Sequence, residues 1–289
     1  MPNQIGLSSF VLASPFSDKD LHLMRDVKNM GYGVIEICVE DPAKLTPKSI
    51  KAAASEHGLE VSICGAFGPD RDVSHEDLDI RNNGIEYLKK CVDFASEVGA
   101  PFVSGPMYSA TGKTRLLPPE ERKRQFQWAV ESLREVANYS EAKKVGLAIE
   151  PLNRFETDLI NTLEQGVELC KAINKSNVGL MIDTFHMNIE EKNLPAAIES
   201  AAPYIFHVQV SENDRGTPGE GQVHWDEFFH ALSKIGYKGQ IVIESFLPTV
   251  KEIARAVSAW RPVAPSMDSL ARNGFIFIEA KTTQYLGEK

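Results

Sequence analysis

Four short β-type runs late in the chain each carry an acid or another metal-competent group at or near the C-terminal end. Glu150 closes GLAIE, Asp183 closes GLMID, His207 and Gln209 lie within IFHVQV, and Glu244 closes IVIE. Any one of these carboxylates alone reads as an ion pair or a helix cap. Gathered in one dry mouth, Glu150, Asp183 and Glu244 would repel one another and be driven towards protonation. A bound divalent cation relieves that repulsion, and a mostly oxygen ligand set favours Mn²⁺, Co²⁺ or Mg²⁺ over zinc. Strand alternation puts Gly146 and Ala148 on the same side as Glu150, so small residues leave room for a ligand beneath the acid.

The elements that must position these groups follow from periodicity. Strands are expected near Ile5–Phe10, Val34–Val39, Glu60–Cys64, Phe102–Ser104, Val145–Glu150, Val178–Asp183, Tyr204–Val210 and Gln240–Glu244. Helical patterns fill the gaps over Ser17–Asn29, Thr46–His57, His75–Val98, Pro118–Lys143, Thr162–Ile173, Leu194–Ser200, Trp225–Ile235 and Thr249–Ala259. Thr162 with Gln165 reads as a capping box, and Gly31, Gly58, Gly99 and Gly236 stand where left-handed C-caps are expected. Eight β/α repeats predict a single (β/α)₈ barrel over residues 1–289, with a helical extension from about 261 packed outside the barrel or used in self-association. An open doubly wound sheet is the fallback, but no GxGxxG follows the first strand. The Gly-, Pro- and charge-rich connections Ala66–Asp79 and Pro106–Pro119 follow strands, on the side where a barrel builds its active-site mouth.

Composition narrows the class. The 289 residues are 43% hydrophobic with a net charge of −9, and no Lys/Arg-rich run is present, which argues against nucleic acid and anionic membranes as partners. No apolar stretch is long enough to span a bilayer and the N-terminus lacks a signal-peptide pattern, so a cytoplasmic enzyme with a small-molecule substrate is expected. Cys38, Cys64, Cys91 and Cys170 form no CxxC pair and read as buried free thiols.

The stretches EPLNRFE (150–156), DTFHMNIEE (183–191) and ENDRGTPGEGQVHW (212–225) resemble the ketose 3-epimerases, the tagatose and psicose 3-epimerases of the xylose-isomerase-like TIM barrels. The resemblance runs over nearly the whole chain and is densest from Glu150 to Glu244. It implies a keto-sugar epimerase or isomerase working through a metal-stabilised enediolate, with Glu150 and Glu244 as paired acid/base carboxylates that also ligate the metal. It further implies that Asp183 is a ligand and that Glu156, His186 and Arg215 hold the sugar. At the position matching the family's fourth ligand, normally His, this sequence has Gln209; an amide oxygen can ligate a hard ion but lacks imidazole's basicity. His207, two residues earlier, is the less favoured replacement. His186 suits hydrogen bonding to a substrate oxygen, and Arg215 sits in a Gly/Pro-rich loop suited to presenting a donor fork.

The runner-up is a lyase that would expel the aglycone of a 3-keto-(C-)glycoside by β-elimination, in the manner of relatives that act with a small second subunit. An endonuclease IV-like repair enzyme would need more ligands and a basic DNA face. A non-catalytic sugar-binding barrel is the alternative from a different class. A homo-oligomer is expected, since family members are commonly dimers or tetramers.

Overall fold

The computed structural model describes residues 3–246 and 257–287. Its centre is a closed parallel barrel in which each strand pairs with its neighbours in chain order and β8 returns to β1. The strands are β1 (Ile5–Ser8), β2 (Val34–Val39), β3 (Glu60–Gly65), β4 (Phe102–Gly105), β5 (Gly146–Ile149), β6 (Val178–Asp183), β7 (Ile205–Val210) and β8 (Ile241–Ile243). Runs such as VIEICV and VGLMID are buried throughout because both faces are covered, one by the helix layer and the other by the barrel interior. The helices are α1 (Leu23–Asn29), α2 (Pro47–His57), α3 (Leu78–Val98), α4 (Pro119–Ala142), α5 (Leu163–Ile173), α6 (Thr184–Glu190), α7 (Leu194–Ala201), α8 (Trp225–Lys234) and α9 (Met267–Leu286).

Local chemistry sets the boundaries. Thr162 and Gln165 form the expected capping box at the start of α5, and α3 ends on Gly99 at φ 87°, where a residue without Cβ enters the left-handed region at little cost. Ser17 and Asp20 also form a capping box, but the element they start is a single 3₁₀ turn, Asp18–Asp20, so the continuous helix expected over Ser17–Asn29 is split. A second difference is α6. Asp183 ends β6 and its side chain also accepts a hydrogen bond from Phe185 N, capping a short helix where a loop was expected. Of the helix expected over Thr249–Ala259, residues 249–256 lie outside the described residues, and 257–259 form a turn and irregular backbone, not helix.

The main core lies between the barrel wall and the helices, with Ile35, Ile37, Ile63, Leu147, Leu180 and Phe228 among its fully buried members. Helix α9 packs against α8 and the β8–β1 seam; Tyr32 Oη donates to Ala271 O at 2.6 Å, and Gly274 lets Ile243 and Pro218 approach closely. The four cysteines are buried and free. Among the described residues no helix is long and apolar enough to cross a membrane.

Candidate active site

A cavity of about 240 Å³ opens at the C-terminal end of the barrel, lined by Glu150, Glu156, His186, Arg215 and Glu244 on one side. Phe10, Phe67, Leu152 and Phe246 form apolar wall facing the same space, and the loop after β4 adds Pro106 and Thr111. The two long connections after β3 and β4 thus contribute to the mouth.

Each acid is delivered by the residue that ends or follows a strand. Glu150 follows β5, Asp183 ends β6 and Glu244 follows β8, and all three are buried. One oxygen or nitrogen from each of Glu150, Asp183 and His186 lies within 4.8 Å of the others. His186 reaches this group because α6 starts immediately at Asp183, which puts residue 186 one helical turn above the strand end. Its Nδ1 accepts a hydrogen bond from Asn153 N at 2.9 Å. The other ring nitrogen, Nε2, faces Glu150 Oε1 at 3.4 Å.

Arg215 ties the acids together. Its Nη1 donates to Asp183 Oδ2 at 3.2 Å and to Glu244 Oε2 at 3.0 Å, its Nη2 lies 3.1 Å from His186 Nε2, and Glu156 Oε1 is 3.7 Å away. The guanidinium carbon lies 3.8 Å from the centre of the Phe185 ring and 5.0 Å from that of Phe246, a packing that a planar delocalised cation tolerates better than an ammonium. Its backbone adopts φ 67°, a left-handed conformation that costs a non-glycine residue of order 1 kcal/mol or more and persists only where the surroundings enforce it. Ser245 Oγ donates to Arg215 O at 2.6 Å and helps to hold that turn.

The electrostatics reflect an excess of negative charge. Burial pushes the Glu244 carboxyl well above its ordinary range; Arg215 pulls it back, while Glu150 and Asp183 push it further up. Burial also raises Glu150, against the pull of His186. For His186, burial and Arg215 oppose protonation, but Glu150 and Glu156 outweigh them and the net direction is upward.

Four buried carboxylates therefore share one guanidinium and one imidazole, a donor set that suits an additional divalent cation. Gln209 strengthens the fit. It is the register partner of Asp183 across β6 and β7, and its Oε1 is buried with no hydrogen-bond partner among the described residues. His207 lies one layer deeper, bound through Nε2 to Glu36 Oε2 at 2.7 Å. Of the residues expected to hold an ion, the structure brings Glu150 and Asp183 together with His186, while Gln209 and Glu244 stand outside that cluster, Gln209 in register with Asp183 and Glu244 joined to it through Arg215.

Sequence reasoning passed over Asn153, Phe185 and Glu36. Asn153 Nδ2 donates to Glu156 Oε1 at 2.9 Å and so links Glu156 to His186. For Glu36 the signal was a lone carboxylate within an apolar strand.

A family model described as xylose isomerase-like TIM barrel matches residues 24–263. The chain is 31% identical over 283 residues to a ketose 3-epimerase from Arthrobacter globiformis, covering 97% of each. The chain belongs to the xylose isomerase-like TIM barrel family, among its ketose 3-epimerases. It is an enzyme of the sugar epimerase/isomerase class. Solved structures of the same group superpose closely: an L-ribulose 3-epimerase at TM-score 0.92 and 28% identity, covering 98% of this chain and 96% of that one. The D-allulose 3-epimerase of Methylomonas sp. in complex with D-allulose gives a TM-score of 0.90 at 28% identity, covering 97% of both chains.

Proposed function

We propose that this enzyme inverts the carbon next to the carbonyl of a free ketose, with Glu150 and Glu244 as the two groups that move the proton. The observation that carries this reading is the convergence of both acids, His186 and Arg215 on one cavity. The C–H beside a carbonyl is acidic only if the developing oxyanion is stabilised. Arg215 and His186 line the cavity beside the acids and are suited to bind the carbonyl and adjacent hydroxyl oxygens. Glu150, Asp183, Gln209 and Glu244 would hold a divalent ion, which would supply Lewis-acid polarisation of those oxygens. One carboxylate then removes the proton and the other returns one to the opposite face. Glu156, steered by Asn153, is suited to accept from a sugar hydroxyl. Phe10, Phe67 and Phe246 help to keep water from the intermediate.

Mn²⁺, with Co²⁺ or Mg²⁺ as substitutes, a cytoplasmic location and a homo-oligomeric state belong to the same reading and rest on the sequence and the resemblance. The β-elimination alternative has less support, because the relatives described above are epimerases.

The test is a panel of ketoses, including D-psicose, D-tagatose and L-ribulose, run beside 3-keto-glycosides with Mn²⁺ and with chelator. Accumulation of the C3 epimer from a free ketose, lost with chelator and restored by Mn²⁺, is the expected result. Aglycone release without any epimer would transfer the reading to the lyase, and turnover unaffected by thorough chelation would overturn the metal's role.

A further inference from the structure

Beneath the ring of acids, β2 carries Glu36 inside an otherwise apolar strand, and its side chain is fully buried. Its two oxygens meet two different residues of β7: Oε2 faces His207 Nε2 at 2.7 Å, and Oε1 accepts from Gln209 Nε2 at 2.5 Å. A carboxylate accepts hydrogen bonds and does not donate them, so Gln209 can offer Glu36 only its NH₂ end. The other end of the amide is thereby turned away from Glu36. That carbonyl oxygen is the buried, unpartnered Oε1 noted above, and an acceptor in that state is costly unless a donor or a cation meets it. Asp183 and Gln209 are in register on adjacent parallel strands, so their side chains leave the same face of the sheet.

We propose that Glu36 is a positioning residue that locks the Gln209 amide with its oxygen towards the ion beside Asp183, so that the ligand set is all oxygen and tilts the site towards hard ions. The inference rests on the metal reading given under Proposed function. Oxygen donors suit Mg²⁺ and Mn²⁺, whereas an imidazole at position 209 would favour Co²⁺ and Ni²⁺. A neutral amide at position 36 could donate as well as accept, so Glu36→Gln would make both orientations of Gln209 available and release the lock.

The experiment measures ion uptake by calorimetry on chelator-stripped full-length protein, with Mg²⁺, Mn²⁺, Co²⁺ and Ni²⁺ in turn, alongside the metal-free melting temperature. The wild type is expected to take up one ion per chain. Glu36→Gln is expected to weaken Mn²⁺ binding by about 10- to 100-fold, as loss of a group that orients a ligand typically does. Gln209→His is expected to raise the Ni²⁺-to-Mg²⁺ affinity ratio at least about tenfold. Unchanged Mn²⁺ affinity in a folded Glu36→Gln protein overturns the inference alone. If that variant does not fold, an unchanged Ni²⁺-to-Mg²⁺ ratio in Gln209→His overturns it instead. A wild type that takes up no ion overturns the metal reading and this inference with it.

Discussion

Replacing Arg215 with Met removes the guanidinium while keeping an unbranched apolar stem in the slot between Phe185 and Phe246. The side chain is about 6% exposed, so solvent cannot take over its role. Asp183 and Glu244 lose a donor at 3.2 and 3.0 Å, and Glu156 loses its cation at 3.7 Å. Breaking a buried ion pair from one side costs about 3–5 kcal/mol. Proton uptake limits the loss here, because Glu244 already holds its proton more tightly than an ordinary carboxyl. A deficit near the lower bound, about 3 kcal/mol, is therefore expected for metal-free protein, or roughly 6–12 °C in melting temperature for a chain of this size. The pH dependence has a definite sign. Arg215 holds the Glu244 pKa down relative to the same site without it, so its stabilisation is present when that carboxyl is ionised and fades as pH falls and it protonates. Thermal melts of both proteins with chelator should show a smaller gap at pH 5 than at pH 8. A gap under about 2 °C at pH 8, or one that widens in acid, would refute the argument that Arg215 is the counter-charge of this cluster.

Two further perturbations probe the supports of the site. Lys113, in the loop after β4, is nearly buried against Asp72 and Ser74 of the loop after β3; Gly112 N donates to Glu156 O, and the carbonyl of Lys113 itself accepts from Asp158 N. Lys113→Met should destabilise the fold by about 3 kcal/mol and raise KM more than it lowers kcat, read by melting and steady-state kinetics; unchanged KM would detach this loop from substrate binding. In α3, a Cβ at Gly84 would stand 2.6 Å from Arg71 O and 2.9 Å from Val73 Cγ1. Gly84→Ala should therefore lower the melting temperature by a few degrees, overpacking of about 1–3 kcal/mol outweighing the helix propensity gained, and a more stable variant would contradict that close approach.

The barrel was legible because its strands are apolar runs of the right length and its helices end at Gly58, Gly99 and Gly236, all three left-handed in the structure. The positions of Glu150, Asp183 and Glu244 at strand ends were legible for the same reason. What escaped the sequence was set by three-dimensional packing. Asp183 reads as the end of a strand, and nothing local announces that it also caps α6 and thereby lifts His186 to Glu150. Glu36 lies 171 residues from His207 and 173 from Gln209, and only barrel closure brings the three together. The pairing of Phe185 and Phe246 around Arg215 likewise joins α6 to the end of β8.

The most direct test of the account follows the proton. Turnover of an accepted ketose in D₂O should place deuterium at C3 of the epimer, since removal on one face and return on the other passes through a carboxyl that exchanges with solvent. Glu244→Gln, folded and assayed at saturating Mn²⁺, should slow that incorporation by about 10²- to 10⁴-fold. Deuterium incorporation at the wild-type rate in Glu244→Gln, or epimer formed by the wild type with no deuterium at C3, would contradict the two-carboxylate mechanism.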